Sequence, residues 1–355
     1  MKITDLMRHP LIQAPMAGGA TTPELVAAVS NAGALGSLAA PLLSPQAIAE
    51  QTKSIRALTR EPFGINLFVQ PVPQPSDDAI RYAKELLEPV WRGFGWDRLP
   101  TPAKWCEDFA SQFDALLEAR PAVASFTFGI LSAAQVDRLH AAGILVVGTA
   151  TDIAEALAWQ EIGADAVCAQ GIEAGGHRGS FLAPQELGSG TLALVPRMVD
   201  AVRIPVIAAG GIMDGRGMAA ALALGAQAVQ LGTAFLACPE SGIHAAYKAR
   251  LREAAASPAR ALTCLTRAFS GRYARGLVNR YIETMQPVER EVPAYPVQNA
   301  LTGSIRAHAA KTNDPEWMSL WAGQGVGAIR AMPAGELVAT LMQELDEARR
   351  ALAAG

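Results

Sequence analysis

Over its first two thirds the chain alternates short apolar runs with alanine-rich segments, and this alternation constrains the fold more than any other feature. The apolar runs are continuous, a pattern typical of parallel strands that are buried on both faces. Eight β/α units of this kind favour a closed (β/α)8 barrel, the TIM barrel, over an open doubly wound sheet. The runs predicted as strands are 11–14, 34–38, 63–68, 123–128, 145–148, 166–170, 205–209 and 228–231.

The segments between these runs carry apolar residues at helical spacing, and several end in Ala-Gly or Leu-Gly, which suits a helix C-cap. The helices predicted in this way are 23–32, 45–58, 133–142, 152–162 and 216–224. The rhythm is interrupted once, by the long Pro- and Trp-bearing stretch 71–104. We interpret that stretch as an excursion within the third β/α unit.

The β/α rhythm stops after the eighth predicted strand. Residues 239–333 contain helices, loops and several Tyr and Trp, and they are predicted to form a smaller, mainly helical domain that covers the substrate site. The segment 334–355 is amphipathic and is predicted to be the helix that closes the barrel. The predicted organisation is therefore a barrel over 1–238, an inserted domain over 239–333 and a closing helix over 334–355.

Composition and charge exclude several classes of function. The net charge is −3 with no long run of Lys and Arg, which argues against nucleic-acid or anionic-lipid binding. The apolar stretches fall short of the roughly 20 residues of a membrane span, and the N-terminus does not read as a secretory signal, so a cytoplasmic protein is expected. The cysteines are far apart and form no CxxC pair, which predicts reduced thiols and no metal centre: Cys106, Cys168, Cys238 and Cys264.

Two glycine turns follow the predicted seventh and eighth strands. Gly210 and Gly211 follow the seventh, and Gly232 and Thr233 follow the eighth. In barrels of this class the loops after these two strands commonly bind phosphate, because glycine lets backbone N–H groups approach an anion closely. Either turn alone is more often a simple tight turn than a phosphate site. The pair, in these positions, favours a phosphate site.

A glycine-rich loop follows the sixth predicted strand. Residues 171–179 contain four glycines together with Glu173, His177 and Arg178, a composition unsuited to a buried packing element. An imidazole has a pKa near about 6.5, so it acts as a base or carries a charge near neutral pH. We therefore expect His177 to point at a bound ligand, and we leave Arg178 out of the catalytic set.

Side chains with amide groups stand at two other strand ends. Asn66 and Gln170 are placed to donate to and accept from a planar heterocycle, although each is also compatible with a core residue bonded to backbone. The small residues of the turn at 14–16 would let a flat ring lie against the backbone.

Six segments together resemble the class I FMN-dependent nitronate monooxygenases, formerly called 2-nitropropane dioxygenases. They are QAPMAGG (13–19), GINLF (64–68), QGIEAGGHRG (170–179), IPVIAAGGIMDG (204–215), GAQAVQLGTAFL (225–236) and LWAGQG (320–325). The turns AGGI and QLGT occur in several phosphate-binding barrels, whereas the EAGGHRG loop together with GINLF and LWAGQG is specific. The resemblance covers nearly the whole chain.

The resemblance implies that FMN is the cofactor and that His177 is the catalytic residue. It implies phosphate contacts from Gly211, Gln230, Leu231, Gly232 and Thr233, and flavin contacts from Asn66, Gln170, Gly175, Ala14, Pro15 and Met16. His177, Tyr295 and Phe128 are the expected substrate-cavity residues.

The resemblance further implies that a nitronate such as propionate 3-nitronate is oxidised with O2 to a carbonyl compound and nitrite, without an external reductant, in detoxification. His177 would either remove the α-proton of a neutral nitroalkane or, as an imidazolium, hold the nitronate anion; the sequence leaves both open. It also leaves open the preferred substrate and the oligomeric state, since the aromatic residues of 239–333 suit a homodimer interface as well as a pocket.

Three other functions compete with this interpretation. An NAD(P)H:quinone reductase or an enoyl-thioester reductase on the same barrel would use many of the same FMN contacts. A flavin-free aldolase or isomerase would often need a Schiff-base lysine or paired carboxylates, and no predicted strand end carries a lysine. A non-catalytic flavin-binding protein would not need His177 in an open glycine loop.

Overall fold

The computed structural model describes residues 2–354 and contains eleven strands. They are β1 (Leu11–Gln13), β2 (Gly36–Ala39), β3 (Phe63–Phe68), β4 (Val123–Thr127), β5 (Leu145–Ala150), β6 (Ala166–Gln170), β7 (Gly176–His177), β8 (Val206–Ala209), β9 (Ala228–Leu231), β10 (Thr263–Thr266) and β11 (Ala274–Leu277). Eight of them form one parallel sheet in the order β1-β9-β8-β6-β5-β4-β3-β2. The predicted strands are therefore confirmed to within two residues at each end.

The sheet closes on itself between β1 and β2. A parallel bridge joins Ile12 to Leu35, and the backbone N–H of Gln13 donates to the carbonyl of Leu35 at 2.9 Å. The Leu35 N–H in turn donates to the carbonyl of Leu11 at 3.0 Å. The (β/α)8 barrel expected from the sequence is confirmed.

Fourteen α-helices are present among residues 2–354. They are α1 (Pro23–Asn31), α2 (Pro45–Leu58), α3 (Asp77–Leu86), α4 (Glu88–Gly93), α5 (Phe109–Ala119), α6 (Ala133–Ala141), α7 (Ile153–Glu161), α8 (Thr191–Ala201), α9 (Gly215–Ala223), α10 (Ala245–Ala256), α11 (Arg280–Met285), α12 (Val297–Leu301), α13 (Gly303–Lys311) and α14 (Ala334–Ala354). Side-chain oxygens cap the starts of helices: the Thr22 hydroxyl accepts from the N–H of Leu25, and the Ser44 hydroxyl from that of Ala47. A proline at the first position of α1 and of α2 suits these starts.

Alternate residues of each barrel strand enter two different cores, because successive side chains point to opposite faces. Ile12, Val147 and Ile207 belong to the cluster inside the barrel, which Ile3 joins from the N-terminal end of the chain. Ile65 and Val167 point outward into the larger cluster between strands and helices. Continuous apolar runs are needed because both faces are buried, which explains why the strands were readable from the sequence.

The excursion and the segment after β9 pack against each other in a separate apolar cluster. Trp91 from α4 lies with Phe269, Tyr281 and Ile305 in this core. The segment also contains β10 and β11, which pair antiparallel, and β11 pairs in turn with β7 from the glycine-rich loop. The sequence did not predict this three-stranded sheet, since its strands are short and one has two residues. The bounds 1–238, 239–333 and 334–355 stay predictions.

Helix α14 packs against α9 and α1, so it stands between the helices of the seventh and first β/α units. Glu344 on α14 accepts from the N–H of Gly215 at 3.0 Å and pairs with Arg330 at 2.8 Å. Among the helices within residues 2–354, none is long and apolar enough to cross a membrane.

Candidate active site

A cavity of about 390 Å3 opens at the carboxyl ends of the barrel strands. Its volume lies within the range of roughly 300–1,000 Å3 that is typical of small-molecule sites. Every site residue predicted from the sequence lines it: Ala14, Pro15, Met16, Asn66, Phe128, Gln170, Gly175, His177, Gly211, Gln230, Leu231, Gly232, Thr233 and Tyr295. Residues from seven of the eight barrel strand ends and from the segment after β9 thus meet at one place.

The two glycine turns differ in why they need glycine. Gly210 and Gly211 have φ values of +120° and +73°, a backbone region that side chains other than glycine rarely adopt. Gly232 has an ordinary backbone conformation, and a Cβ there would stand 3.4 Å from the Cβ of Ala14, facing the cavity. The first turn needs glycine for its conformation, whereas the second leaves a concave surface open to a ligand.

The LWAGQG segment lies directly on the glycine-rich loop. A Cβ at Gly175 would stand 2.5 Å from the backbone nitrogen of Gly323, and the Gly323 N–H donates to the Thr233 hydroxyl at 2.9 Å. The Gln324 N–H donates to the carbonyl of Glu173 at 3.0 Å. These contacts join three motifs that are distant in the sequence: LWAGQG, the glycine-rich loop and the turn after β9.

Gln170 holds the loop in place. Its Nε2 donates to the carbonyl of His177 at 3.0 Å, and its Oε1 accepts from the N–H of Gly179 at 2.8 Å. Asn66 is used differently, since its Nδ2 donates to the carbonyl and hydroxyl of Ser125 at 3.1 and 3.0 Å. The Gln170 amide is thus engaged at both ends with the loop that carries His177, a role the sequence did not reveal.

Glu173 and Arg178 also shape the loop. Both carboxylate oxygens of Glu173 accept from the N–H of Thr191 at 2.9 Å, which anchors the start of α8. Arg178 is buried and donates through Nη1 to the carbonyl of Gly171 at 2.9 Å. Burial lowers the pKa of Arg178 to about 10, so it keeps its charge at neutral pH. Its position under the loop agrees with its exclusion from the catalytic set.

His177 is surrounded by aromatic rings. The ring centroids of Trp321, Tyr295 and Phe128 lie 5.4, 5.5 and 5.6 Å from that of the imidazole. Phe128 has φ +78°, which is rare for an aromatic residue, and the guanidinium of Arg272 stands 4.1 Å from its ring centroid. Such a strained residue beside a catalytic candidate is typical of functional sites.

A hydrogen-bonded chain determines which imidazole nitrogen carries the proton. The Nε2 of His177 lies 2.9 Å from the hydroxyl of Ser270, and that hydroxyl donates its one hydrogen to the carbonyl of Arg272 at 2.9 Å. Ser270 must therefore accept from Nε2–H. In the neutral imidazole Nδ1 is then left as an acceptor, and it has no hydrogen-bond partner within residues 2–354.

Burial lowers the pKa of His177 to about 3, and the charges of Arg272 and Arg306 add to this effect. The imidazole is therefore neutral at physiological pH before a ligand arrives. A neutral imidazole is free to accept a proton, and it would hold an anion as an imidazolium only after taking one up.

This pKa predicts a pH dependence of stability. In the unfolded chain the imidazole takes up a proton below about pH 6.5, whereas in the folded protein it does not do so until about pH 3, so the free energy of unfolding falls as the pH falls between these values. Compared with His177→Asn, the wild type should lose roughly 1 kcal/mol per pH unit between pH 6 and 4.5. Urea unfolding of both proteins at several pH values measures their free energies of unfolding. If the difference between the two free energies does not change with pH, the lowered pKa is contradicted.

Replacing Ser270 by alanine removes the acceptor for Nε2–H and frees the imidazole to rotate or change tautomer. We expect kcat to fall about 10-fold, the equivalent of one hydrogen bond, with little change in KM. Ser270→Thr keeps the hydroxyl and should restore most of the rate. Steady-state kinetics of the two variants tests this, and an equal loss in both would assign Ser270 to packing alone.

Three residues that line the cavity, Asn299, Arg306 and Trp321, escaped the sequence analysis, and so did Ser270, which lies behind His177. Ser270 lies 93 positions from His177, and Arg306 and Asn299 belong to α13 and α12, whose sequences carry no motif. Trp321 lies inside the LWAGQG segment but was not singled out as a site residue. Only the long-range pairing of β7 with β11 brings Ser270 to the histidine, and no local pattern could show it.

A family model described as "Nitronate monooxygenase" matches residues 1–344 of the chain. A Staphylococcus aureus protein named "Probable nitronate monooxygenase" is 41% identical over 350 residues, which cover 98% of this chain and 97% of that protein. The solved structure of a nitroalkane oxidase from Streptomyces ansochromogenes is 44% identical, with a TM-score of 0.90 and 99% of both chains covered. FabK from Thermotoga maritima is 31% identical, with a TM-score of 0.76 and 99% and 98% of the two chains covered.

These matches extend over the barrel, the glycine-rich loop and the segment after β9 alike. They confirm the resemblance carried by the six sequence motifs, and they favour the monooxygenase over the reductases that were its rivals. The chain is an enzyme and belongs to the nitronate monooxygenase family.

Proposed function

We propose that the chain is an FMN-dependent enzyme that converts alkyl nitronates and O2 to carbonyl compounds and nitrite. The observation that carries the proposal is one cavity in which His177, ringed by aromatic side chains, lies together with the two glycine turns. The family match adds the class of reaction. Detoxification, a cytoplasmic location and a homodimer stay predictions.

The cavity fits a phosphate with an attached flat ring. At Gly232 an added Cβ would stand 3.4 Å from the Cβ of Ala14 and 3.7 Å from the sulfur of Met16, so the bare backbone forms a concave cradle there. The proposed phosphate contacts are Gly211, Gln230, Leu231, Gly232 and Thr233, and the proposed ring contacts are Asn66, Gln170, Gly175, Ala14, Pro15 and Met16. When bound, FMN supplies the electron acceptor for oxidation of the nitronate.

The residues around this cradle would bind the substrate and move a proton. The rings of Phe128, Tyr295 and Trp321 form an apolar wall around His177, which would exclude water from the reacting carbon. A nitronate has already lost its α-proton and needs no base. When a neutral nitroalkane binds instead, Nδ1 of His177 is the group that would accept that proton, because Nε2 is committed to Ser270.

The first test is the absorbance spectrum of the purified protein. A flavin spectrum that is bleached anaerobically by propionate 3-nitronate, but not rapidly by NADH, is expected. Rapid bleaching by NADH without a response to nitronate would instead support a quinone reductase or an enoyl-thioester reductase. Protein that is colourless and cannot be reconstituted with FMN would overturn the proposal.

A further inference from the structure

The turn before β11 carries, besides Ser270, an arginine that reaches the glycine-rich loop. Ser270 binds the imidazole of His177, and the carbonyl of Tyr273 accepts from the backbone N–H of Arg178 at 2.8 Å. Between them stands Arg272, whose side chain extends to the loop but does not line the cavity. Arg272 can therefore act on the reaction only through the residues that it holds.

The guanidinium of Arg272 binds two backbone carbonyls of the chain just after His177. Its Nε donates to the carbonyl of Arg178 at 2.8 Å, and its Nη2 donates to the carbonyl of Ser180. A guanidinium suits this task because its N–H groups lie in one fixed plane, and hydrogen bonds from a charged donor are stronger than those between neutral groups. The side chain thus ties the turn that carries Ser270 to the loop that carries His177.

The same guanidinium packs on Phe128, whose backbone is strained. It stands 4.1 Å from the centroid of that ring, within the range of a cation–π interaction. Phe128 has φ +78°, and residues in such a conformation persist only where their surroundings hold them. Its ring centroid lies 5.6 Å from that of His177. One side chain therefore holds both the loop that carries the imidazole and an aromatic ring beside the imidazole.

A buried carboxylate offsets the charge of Arg272. The Oε1 of Glu155 accepts from the backbone N–H groups of Phe181 and Leu182 at 2.5 and 2.9 Å, so it binds the residues that follow those held by the guanidinium. Glu155 and Arg272 attract each other across this segment. Burial lowers the pKa of Arg272 only to about 10, so the guanidinium keeps its charge at neutral pH.

We propose that Arg272 is a positioning residue: by holding the chain after His177 and the ring of Phe128, it keeps Nε2 of the imidazole against Ser270 and leaves Nδ1 free. The use of Nδ1 as the proton acceptor rests on the proposed function. The orientation and tautomer of the imidazole are properties of the protein itself, so they can be measured without turnover.

Position and charge have separable consequences. The charges of Arg272 and Arg306 both oppose protonation of His177, and the phenol of Tyr295 beside the imidazole stays neutral because burial raises its pKa. Arg272→Lys keeps a charge but lacks the planar fork that binds two carbonyls, so it should loosen the loop and leave the pKa of His177 nearly unchanged. Arg272→Gln removes the charge as well and should raise the pKa of His177.

Nitrogen NMR of the holoenzyme observes the imidazole directly. The chain has five histidines, so isotope-labelled histidine gives few signals, and those missing from His177→Asn belong to His177. Wild type should show one neutral form with its proton on Nε2 between about pH 5 and 8. Arg272→Lys should show both tautomers, as should Ser270→Ala, in which the acceptor itself is lost. Arg272→Gln should in addition begin to take up a proton at a higher pH than wild type.

Kinetics test the consequence for proton transfer. With nitroethane, kcat should fall about 10-fold in Arg272→Lys, the effect of losing a hydrogen bond from a charged group, whereas with ethyl nitronate it should change little, because no base is needed. Arg267→Lys is a matched control. Arg267 stands just before the same turn, is likewise partly buried, and donates to the carbonyl of Val292 at 3.1 Å instead of to the loop.

Three results would overturn the inference. A single form with its proton on Nε2 in both Arg272 variants would show that the pairing of β7 with β11 positions the histidine alone. A wild-type imidazole with its proton on Nδ1 would contradict the contact with Ser270, and equal effects of Arg267→Lys and Arg272→Lys would show a general loosening. If Arg272→Gln does not fold, Arg272→Lys still decides the positioning role. If wild type oxidises no nitro compound, the proposed function fails, and the NMR comparison still decides what Arg272 does.

Discussion

Replacing His177 by asparagine is expected to abolish oxidation of a neutral nitroalkane while flavin stays bound. General base catalysis contributes about 100- to 10,000-fold, and Nδ1 of His177 is the proton acceptor that the cavity offers beside its aromatic wall. Asparagine is a suitable replacement because it keeps a polar side chain but cannot accept a proton as the imidazole does. The measurement is kcat/KM for nitroethane and for ethyl nitronate, each at a pH where its form is stable.

The two substrates separate the two roles that the sequence left open. A base is needed only for the neutral form, so the nitronate should lose far less activity in His177→Asn than the nitroalkane. Equal losses on both would instead assign His177 to holding the anion. His140→Asn is a matched control, since His140 lies away from the cavity beside Asp165. Unchanged oxidation of nitroethane in His177→Asn would show that the proton acceptor is another group.

The barrel and most of the cavity wall could be predicted from the sequence because their signals are local. A strand buried on both faces must be largely apolar, as in Val206–Ala209, and a turn such as Gly210–Gly211 needs glycine for its backbone angles. Both requirements fall on residues that are consecutive in the sequence, so a short stretch of sequence is enough to reveal them. Strand order in a (β/α)8 barrel then brings their carboxyl ends to the same face, so the cavity follows from the fold.

The residues that tune His177 could not be predicted in the same way. Ser270 contacts His177 and Arg306 lines the cavity, and both belong to the segment after β9, whose core is shared with Trp91 from the excursion between β3 and α5. Such contacts depend on tertiary packing between distant segments and leave no periodic trace. Even Gln170, correctly placed at the cavity, proved to bind the glycine-rich loop through both ends of its amide. Local patterns thus placed most of the cavity lining, and the structure was needed to find the groups that set the protonation state of His177.

Replacing Gly232 by valine is expected to yield folded protein that has lost its flavin. The backbone of Gly232 has φ −105° and ψ −67°, which other residues can adopt, and an added Cβ would meet Ala14 and Met16 at ordinary contact distances. The barrel should therefore tolerate the side chain, whereas its methyl groups would occupy the cradle proposed for the phosphate. The valine methyl groups would prevent the phosphate from reaching the backbone N–H groups of this turn. Flavin occupancy should then fall at least about 10-fold, because the hydrogen bonds that are lost are charge-assisted.

Flavin content per protein, read from the absorbance of purified wild type and variant, measures this effect, and circular dichroism verifies the fold. Gly93→Val is the matched control, since Gly93 ends α4 at the surface with open space around it and lies outside the cavity. Full occupancy in Gly232→Val would move the phosphate away from the turn after β9. Loss of flavin in both variants would instead point to a general effect of replacing glycine. Loss in Gly232→Val alone, with the fold intact, would place the phosphate at this turn.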